Sequence, residues 1–554
     1  MDMYRAFLAI ILSFFILIGY QYFFAPAQPV QPAQKDEQTA RSVNREHQGS
    51  GAAAPEAVST TPPSAAAATA VAVDADARNI TVDTPLYTAV IFEQGGGLKS
   101  FILKKYRTER ADDSAPMQLV KTANPVELPL VFTLDNGAAK TLPLFKADRG
   151  ELKLKDGDKG ALVMTAELAG GIRIERTLHF DAASYLIDTS YTVTNTGTAP
   201  QQVSPAMVLT MAPFSAGNST SRYLFSGPVA YIDNALHEVK GKKLTSGPQV
   251  LQGQVGWAAY EDNYFICAVI PEMTGPAMVT MSSVGPDTVR TVVGGVVASI
   301  GPGESKTFTY KAYFGPKKLS ILKSTGYDLA KAVNFGWFDM LAKPMLFLLN
   351  FFYSLFGNYG VAIILLTCLI KAVFWPITQK GMKSMKNMQK LQPKIAKLKE
   401  KYKDDPARMN QEMMAMYKTY KVNPIGGCLP MVIQIPFFFA LYRVLMAAIE
   451  LRHAPFMLWI NDLSAPDRLM IGIDIPVLHG IPVLTLLMGA SMYLQQKMTP
   501  TTADPTQARI MQFLPVIFTF MFINFASGLV LYWFVNNLLS ILQQQLINRQ
   551  TSKA

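Results

Sequence analysis

The sequence has few of the residues on which metal and redox chemistry depend. Its 554 residues include five histidines and three cysteines, Cys267, Cys368 and Cys428. The cysteines lie far apart without a CxxC pair, and the histidines show no HxxxH spacing. This composition excludes a disulfide framework and the usual zinc motifs. We expect no metal, no cofactor and no enzymatic activity.

Charge is also scarce, at 16% of residues, whereas half of the sequence is hydrophobic. The apolar residues concentrate in the first 24 positions and in about the last 220. This distribution excludes a uniformly soluble protein and favours a multi-pass membrane protein.

The N-terminal 78 residues divide into two segments. Residues 6–24 carry no charge, and we interpret 1–24 as a transmembrane anchor. A cleaved signal peptide is the alternative, because Ala25, Pro26 and Ala27 imitate a cleavage site. Residues 25–78 contain 16 Ala and 6 Pro, a composition that predicts a disordered tether.

Residues 79–316 alternate apolar and polar positions, as in half-buried strands. Ile172, Ile174 and Leu178 follow this period, and Arg176 falls on the same face. Gly, Pro, Asn and Asp interrupt the segments at short intervals. We predict one large antiparallel β-sandwich, whose lone Cys267 gives it no disulfide.

After residue 316 the pattern becomes helical. Residues 317–359 predict an amphipathic helix at the membrane surface, with a longer tilted span as the alternative. Five further spans are predicted at 360–379, 429–449, 481–496, 510–526 and 529–547. The connecting segments are 380–428, 450–480 and 497–509, with a tail at 548–554. Only Ser527 and Gly528 separate the last two spans, so we expect them to form the turn.

The two longer loops orient these spans. Between 380 and 421 there are 12 Lys and Arg against four acids, whereas 450–480 has two Arg against four acids. The positive-inside rule places the first loop in the cytoplasm and the second outside. We therefore predict six spans, cytoplasmic N- and C-termini and an extracytoplasmic β domain.

The basic segment 380–428 predicts a helical hairpin, because apolar residues recur every three or four positions. Asp405 before Pro406 is a good N-cap for the second arm, and Pro393 should bend the first. Two ordinary helices packed by Met and Leu would explain the apolar stripe equally well. The charge excess favours anionic lipids or ribosomal RNA, without sequence-specific recognition of nucleic acid. The lysines we expect to make these contacts are Lys383, Lys386, Lys390, Lys394 and Lys397.

Lys371 is the only charge in the span 360–379 and shares a helical face with Thr367 and Thr378. An intramembrane cation often marks a hydrated functional surface, although snorkelling is the alternative. Two other polar stripes lie in the predicted bundle, and each by itself also fits interhelical hydrogen bonding. Their members are Tyr532, Asn536, Ser540 and Gln544 on the last span, and Gln434 with Phe438 on the span 429–449. Arg443 can snorkel to the outer end, and we assign it no role.

None of the five spans contains Asp or Glu. Proton- or sodium-coupled transporters commonly need a carboxylate near the midplane of the membrane. A lone cation in a hydrated groove can instead attract acidic or polar segments of a passing chain. We therefore favour a client-binding surface over a pump.

Five stretches in this order resemble the YidC family of membrane protein insertases. The longest is residues 391–442, LQPKIAKLKEKYKDDPARMNQEMMAMYKTYKVNPIGGCLPMVIQIPFFFALY. The others are LRHAPFMLWINDLS at 451–464, QKMTPTT at 496–502, MQFLPVIFTFMF at 511–522 and SGLVLYWFVNNLLSILQQQLI at 527–547. The anchor, the tether and the outer β domain match the layout of the Gram-negative members.

The resemblance implies a five-helix core around a hydrophilic groove in the bacterial inner membrane, with a periplasmic supersandwich that is largely dispensable. It implies insertion and folding of membrane proteins, alone or with the Sec translocon, without ATP hydrolysis. The implied partners are nascent membrane-protein clients, Sec subunits, the ribosome and anionic lipids. Lys371 stands where the family typically has arginine, which puts a bidentate grip on carboxylates in doubt. The resemblance also implies client-groove positions at Thr367, Ile435, Phe438, Tyr532 and Trp533. Together with Lys371, and with Gln434 and Asn536 from the polar stripes, these are the candidate client-binding residues.

Two other functions remain open from the residues alone. One is a solute transporter, which uptake assays would detect. The other is an envelope assembly factor in which the β domain does the work and the helices only anchor it.

Overall fold

The computed structural model describes residues 74–552, except 112, 123, 139–141, 215–224, 274, 404, 421–428, 473–479 and 499–504. The expected anchor, 1–24, and most of the expected tether lie outside the described residues. Residues 74–78, which we assigned to the tether, instead contact the β region. There, Arg78 Nη2 lies 2.6 Å from Glu93 Oε1.

Strands occupy the chain from Asn79 to Pro316. Within the described residues they are β1 (Asn79–Asp83), β2 (Tyr87–Phe92), β3 (Leu98–Arg107), β4 (Pro116–Lys121), β5 (Val131–Thr133), β6 (Lys146–Ala147), β7 (Glu151–Lys153), β8 (Lys159–Leu168), β9 (Ile172–Asp181), β10 (Leu186–Asn195), β11 (Gln201–Val203), β12 (Ala206–Met211), β13 (Gly227–Ile232), β14 (Ala235–Glu238), β15 (Gln249–Gly253), β16 (Val255–Glu261), β17 (Phe265–Pro271), β18 (Ala277–Ser283), β19 (Val289–Gly294), β20 (Ala298–Ile300) and β21 (Ser305–Pro316). Among the described residues of this region, a 3-10 turn (Pro125–Glu127) and one short α-helix, α1 (Gly241–Thr245), interrupt them.

The described strands form four sheets. A nine-stranded sheet has the order β14-β13-β16-β17-β21-β10-β9-β8-β6, and two five-stranded sheets have the orders β4-β3-β2-β1-β7 and β15-β18-β19-β12-β5. Strands β11 and β20 pair separately. Strands β1 and β7 are parallel. Both five-stranded sheets contact the nine-stranded sheet through aromatic side chains, Phe101 against Phe314 and Phe132 against Tyr191.

The alternating pattern predicted for this region is present in the strands. On β9, Ile172, Ile174 and Leu178 are buried, whereas Arg173, Glu175 and Thr177, on the opposite face, are more exposed. Arg176 is buried on the same face, where its Nε donates to Thr189 Oγ1 and its Nη1 to the Gly96 carbonyl. A β-rich region followed by a helical region is therefore confirmed.

The helical region begins after β21. Its described helices are α2 (Leu319–Thr325), α3 (Asp339–Phe356), α4 (Tyr359–Lys401), α5 (Pro406–Thr419), α6 (Leu429–Ala447), α7 (Val483–Met498), α8 (Pro505–Phe522) and α9 (Ser527–Ser552). Short 3-10 turns lie at Leu329–Ala332, Gly336–Phe338 and Ile449–Leu451. By length and composition, Tyr359–Leu398 is the single described helix able to cross a membrane, and Ile433–Ala447 and Gln512–Phe522 are shorter apolar helices. The six spans remain a prediction.

Two helix boundaries differ from those expected. The helix α4 runs without interruption from the predicted span into the first arm of the hairpin, through Pro376 and Pro393. The chain turns between α8 and α9 at residues 523–526, and Ser527 and Gly528 begin α9 instead of forming the turn. Their amides donate to the carbonyls of Ala465 and Leu463, so the 450–472 loop satisfies N–H groups that a helix start leaves free.

The 450–472 loop is held against the helices by a buried carboxylate. Asp467 is 2% exposed, accepts from Trp459 Nε1 at 2.6 Å, and accepts from the Thr485 amide at 3.0 Å. The second bond satisfies an N–H group in the first turn of α7, where a negative charge is also favourable. Asp467 thus ties the loop to the start of this helix.

Replacing Asp467 with Ala will destabilise the protein. The change leaves Trp459 Nε1 and the Thr485 amide without their acceptor, at an expected cost of about 1–3 kcal/mol. Trp459→Phe, which removes one bond and keeps an aromatic ring, should cost less. Thermal unfolding in detergent, followed by size-exclusion fluorescence, gives the comparison. Equal melting temperatures for wild type and Asp467→Ala would show that the carboxylate does not hold the loop.

Candidate functional site

The candidate site is built on one face of α4. Thr367, Lys371 and Thr378 share this face, as their spacing predicts, and all three are buried. The helix extends through these positions because Asn358 caps its first turn by accepting from the Val361 amide and because an apolar sequence follows. The face turns toward α9 and α6.

Lys371 is held by uncharged oxygen atoms. Its Nζ donates to Asn536 Oδ1 at 3.2 Å and to Ser540 Oγ at 2.7 Å, and both acceptors lie on α9. Among the described residues no carboxylate lies within ion-pair distance of it. The lysine side chain is 8% exposed, so the ammonium group is largely enclosed.

A third helix completes the polar cluster. Gln434 of α6 donates through Nε2 to Asn536 Oδ1 at 2.9 Å, so one amide oxygen accepts from both Gln434 and Lys371. The surrounding side chains leave a cavity of about 10 Å³, room for about one water molecule. The lining residues are Thr367, Ile370, Lys371, Phe374, Ile377, Thr378, Ile433, Gln434, Tyr532 and Asn536. We call this set the Lys371 pocket.

An aromatic group adjoins the Lys371 pocket. Phe438 of α6 has its ring 4.8 Å from Trp533 and 6.3 Å from Tyr532, and Trp533 also contacts Phe522 at 4.9 Å. Ile435 lies outside the pocket lining, and its side chain is 45% exposed. The structure therefore brings five of the eight groove candidates together in the pocket, places Phe438 and Trp533 beside it and turns Ile435 away.

Some residues of the cluster were absent from our candidates. Gln543 of α9 donates through Nε2 to Thr378 Oγ1 at 2.8 Å, whereas the predicted stripe continued to Gln544, which donates to Asn548 of its own helix. On this face of α9, Asn536 and Ser540 are followed by Gln543, three residues after Ser540, and not by Gln544, four residues after it. An i, i+4, i+7 pattern would have found Gln543.

The basic hairpin pairs α5 with the second half of α4. Met388 and Leu391 are buried against Ile395 and Tyr417, and Asp405 caps α5 by accepting from the Arg408 amide, as predicted. Lys386 Nζ reaches Asn548 Oδ1 at 3.4 Å, and Lys394 Nζ reaches Tyr420 OH at 2.5 Å. Of the five lysines predicted to make lipid or ribosome contacts, Lys383, Lys390, Lys394 and Lys397 are exposed and Lys386 is half-buried.

Comparison with known proteins supplies the family. A model described as "60Kd inner membrane protein" matches residues 351–554, and a model described as "YidC periplasmic domain" matches residues 79–348. A membrane protein insertase YidC of Syntrophus aciditrophicus is 43% identical over 99% of both chains. The one of Syntrophobacter fumaroxidans is 41% identical over 98% of this chain and 99% of its own.

Among solved structures, the crystal structure of an active YidC insertase with its first transmembrane domain resolved aligns with 85% of this chain and 92% of its own. The identity is 20% and the TM-score 0.36. The membership therefore rests on the two models and on the full-length relatives, which together cover the β-rich and the helical regions. On these matches, the chain belongs to the YidC family of membrane protein insertases.

Proposed function

We propose that this protein inserts membrane proteins into the bacterial inner membrane and helps them fold, and that the Lys371 pocket receives the polar segment of the client. The observation that carries the proposal is a buried ammonium group in an apolar bundle, bonded to amide and hydroxyl oxygens on a neighbouring helix. Placing such a cation inside a membrane costs free energy, and charged residues within membrane-spanning segments usually have a functional role.

The mechanism lowers the cost of moving polar groups across lipid. Each unsatisfied backbone amide and each charge in hydrocarbon costs several kcal/mol. A client carboxylate or carbonyl that enters between α4 and α9 accepts hydrogen bonds from the Lys371 ammonium group in place of Asn536 and Ser540. The amide nitrogen of Gln434, which has a second N–H besides the one donated to Asn536, can donate a further hydrogen bond. The apolar helix of the client then moves sideways into lipid, driven by its own burial.

This mechanism needs the Lys371 pocket to widen, because a cavity of about 10 Å³ admits no peptide. The client groups replace existing hydrogen bonds, so opening exchanges partners instead of stranding the ammonium group. Hydration of an opened groove follows from the polar groups that line it. Insertion then draws on binding and burial energy, with no ATP hydrolysis.

The surroundings of the site fit the same proposal. We propose six spans with cytoplasmic termini, and a β region in the periplasm. The exposed lysines of the hairpin would contact anionic lipids or the ribosome. We include cooperation with Sec translocon subunits in the proposal because of the family resemblance alone.

Photocrosslinking tests whether clients enter the Lys371 pocket. Phe374 lines the pocket, so Phe374→benzoylphenylalanine puts a reactive aromatic there while keeping Lys371. The neighbouring Val373 is 62% exposed and lies outside the pocket, which makes the same replacement at 373 the matched control. Ribosome-bound nascent membrane proteins should crosslink from 374 several-fold more than from 373. Equal crosslinking from both positions would reject the pocket as the client site.

Two further assays separate the rival functions. Deleting residues 79–316 should leave insertion into proteoliposomes intact, whereas an assembly factor that works through its β region would lose all activity. Solute uptake by the same vesicles would instead indicate a transporter.

A further inference from the structure

A second cavity, of about 520 Å³, lies where the β region meets the helices. Its lining residues come from the segment before β13, from the ends of β14, β16 and β21 or just after them, from the start of α1, from the segment before α3 and from the last turns of α6. The size is in the usual range for small-molecule sites. We call it the junction cavity.

The junction cavity carries charges of both signs. Its cations are Lys240, Lys317 and Arg443, and its acids are Glu238, Glu261 and Asp262. Opposite charges in one cavity favour a ligand that itself carries both signs, provided that some of the groups are free to bind it.

Part of this charge is already compensated within the protein. Lys317 Nζ lies 3.1 Å from Glu261 Oε2 and donates to the Asp262 carbonyl at 3.1 Å. Burial raises the pKa of Glu261 to about 7, against the opposing effect of Lys317. The Asp262 carboxylate accepts from the amides of Tyr264 and Phe265. These three side chains therefore form a fixed wall.

Arg443, Lys240 and Glu238 are the free groups. Within the described residues none of them makes an ion pair or a side-chain hydrogen bond. Arg443 belongs to the next-to-last turn of α6, and its guanidinium lies near Gly336. A guanidinium fork matches a phosphate group in geometry and charge, and a carboxylate matches a primary ammonium.

The position of Arg443 indicates where such a ligand would come from. Arg443 lies four residues before Ala447, the last residue of the apolar helix α6, and both residues line the cavity. Lipid headgroups lie at the ends of membrane-spanning helices. Val333, Phe335 and Ala447 add an apolar side to the cavity, which suits the glycerol end of a lipid.

We propose that the junction cavity binds a phosphoethanolamine group, the headgroup of phosphatidylethanolamine. Arg443 and Lys240 bind the phosphate, and Glu238 accepts from the primary ammonium. A headgroup held there connects the β region to the end of α6 through a bound lipid. This role is independent of the client role proposed for Lys371.

Lipid retention by the full-length protein tests the proposal. The protein is exchanged into detergent with equal amounts of phosphatidylethanolamine, phosphatidylcholine and phosphatidylglycerol, and bound lipid is counted by native mass spectrometry. Wild type should retain phosphatidylethanolamine roughly tenfold over the other two, the ratio that one charge-assisted hydrogen bond supports. Equal retention of all three lipids, or of phosphatidylethanolamine and phosphatidylglycerol, would overturn the proposal.

Variants identify the residues responsible. Arg443→Gln should lower retention of phosphatidylethanolamine roughly tenfold, and Glu238→Gln, at an exposed position that folding tolerates, should remove its preference over phosphatidylcholine. Lys242→Gln changes a lysine of α1 that does not line the cavity and should behave as wild type. An unchanged lipid profile in both Arg443→Gln and Glu238→Gln would overturn the assignment.

Free phosphoethanolamine shows whether the junction cavity recognises the headgroup alone or only the complete lipid. If it displaces the bound lipid at millimolar concentration, the headgroup alone is recognised. If only the complete lipid binds, the apolar side of the cavity contributes as well. Binding of neither would overturn the proposal.

Discussion

Replacing Lys371 with Glu is expected to lower insertion of clients with acidic translocated segments roughly tenfold or more. The ammonium group donates to Asn536 and Ser540 and is the charge that a client carboxylate would meet in the Lys371 pocket. A carboxylate in its place repels the client instead. Protease protection of a radiolabelled client, inserted after translation into proteoliposomes without ribosomes, measures the effect.

Three comparisons make this result specific. Lys371→Arg keeps the charge and should retain most insertion. Lys242→Glu makes the same charge change at an exposed lysine of α1 in the β region and should leave insertion unchanged. A client whose acidic residues are changed to Asn and Gln should insert almost equally with the wild-type protein and with Lys371→Glu. Undiminished insertion of the acidic client by Lys371→Glu would remove the attraction step from the mechanism.

Replacing Gly360 with Ala is expected to destabilise the helical bundle by about 1–3 kcal/mol, the usual cost of overpacking. A Cβ atom at this position would lie 1.9 Å and 2.3 Å from ring atoms of Phe456. The ring cannot withdraw easily, because the Phe456 carbonyl accepts from Asn358 Nδ2 at 2.9 Å and its amide donates to the Ile460 carbonyl. Thermal unfolding in detergent measures the loss.

A double-mutant cycle shows whether this contact is the cause. Phe456→Ala alone should destabilise the protein, because it removes a ring that packs on the core. In the Gly360→Ala background, Phe456→Ala should lower the free energy of unfolding by much less, since it also removes the clash between the ring and the added Cβ. Gly241→Ala is the control, because no atom lies within 4 Å of its added Cβ. Additive effects of the two substitutions would show that the close approach at Gly360 does not limit stability.

The Lys371 pocket and the junction cavity lie on a shared helix. Gln434 and Arg443 both belong to α6, nine positions apart, the first in the pocket and the second in the cavity. The pocket is nearly filled by side chains of the protein, whereas the cavity has room and free charges. Under the two proposals, the Lys371 pocket must open for each client, whereas the junction cavity holds its ligand for longer.

Local patterns in the sequence predicted much of this organisation. Period-2 alternation identified β9, including the inward position of Arg176, because side chains of a strand alternate between faces whatever the strand packs against. The same local logic placed Thr367, Lys371 and Thr378 on one helical face and Asp405 at the start of α5. Helix boundaries were less well predicted, because the amides of Ser527 and Gly528 bond to carbonyls of a loop about 60 residues earlier in the chain.

By itself, the sequence determined the succession of a β-rich region and apolar helices, the family motifs and the single cation, Lys371, of the predicted span 360–379. Each of these depends on composition or on spacing within one segment. Only the tertiary structure decided which groups meet that cation, since Asn536 and Ser540 lie 165 and 169 residues from Lys371 in the chain. It also decided that Arg443 faces a cavity with the β region. Contacts between distant segments depend on how whole elements pack, which no local periodicity encodes.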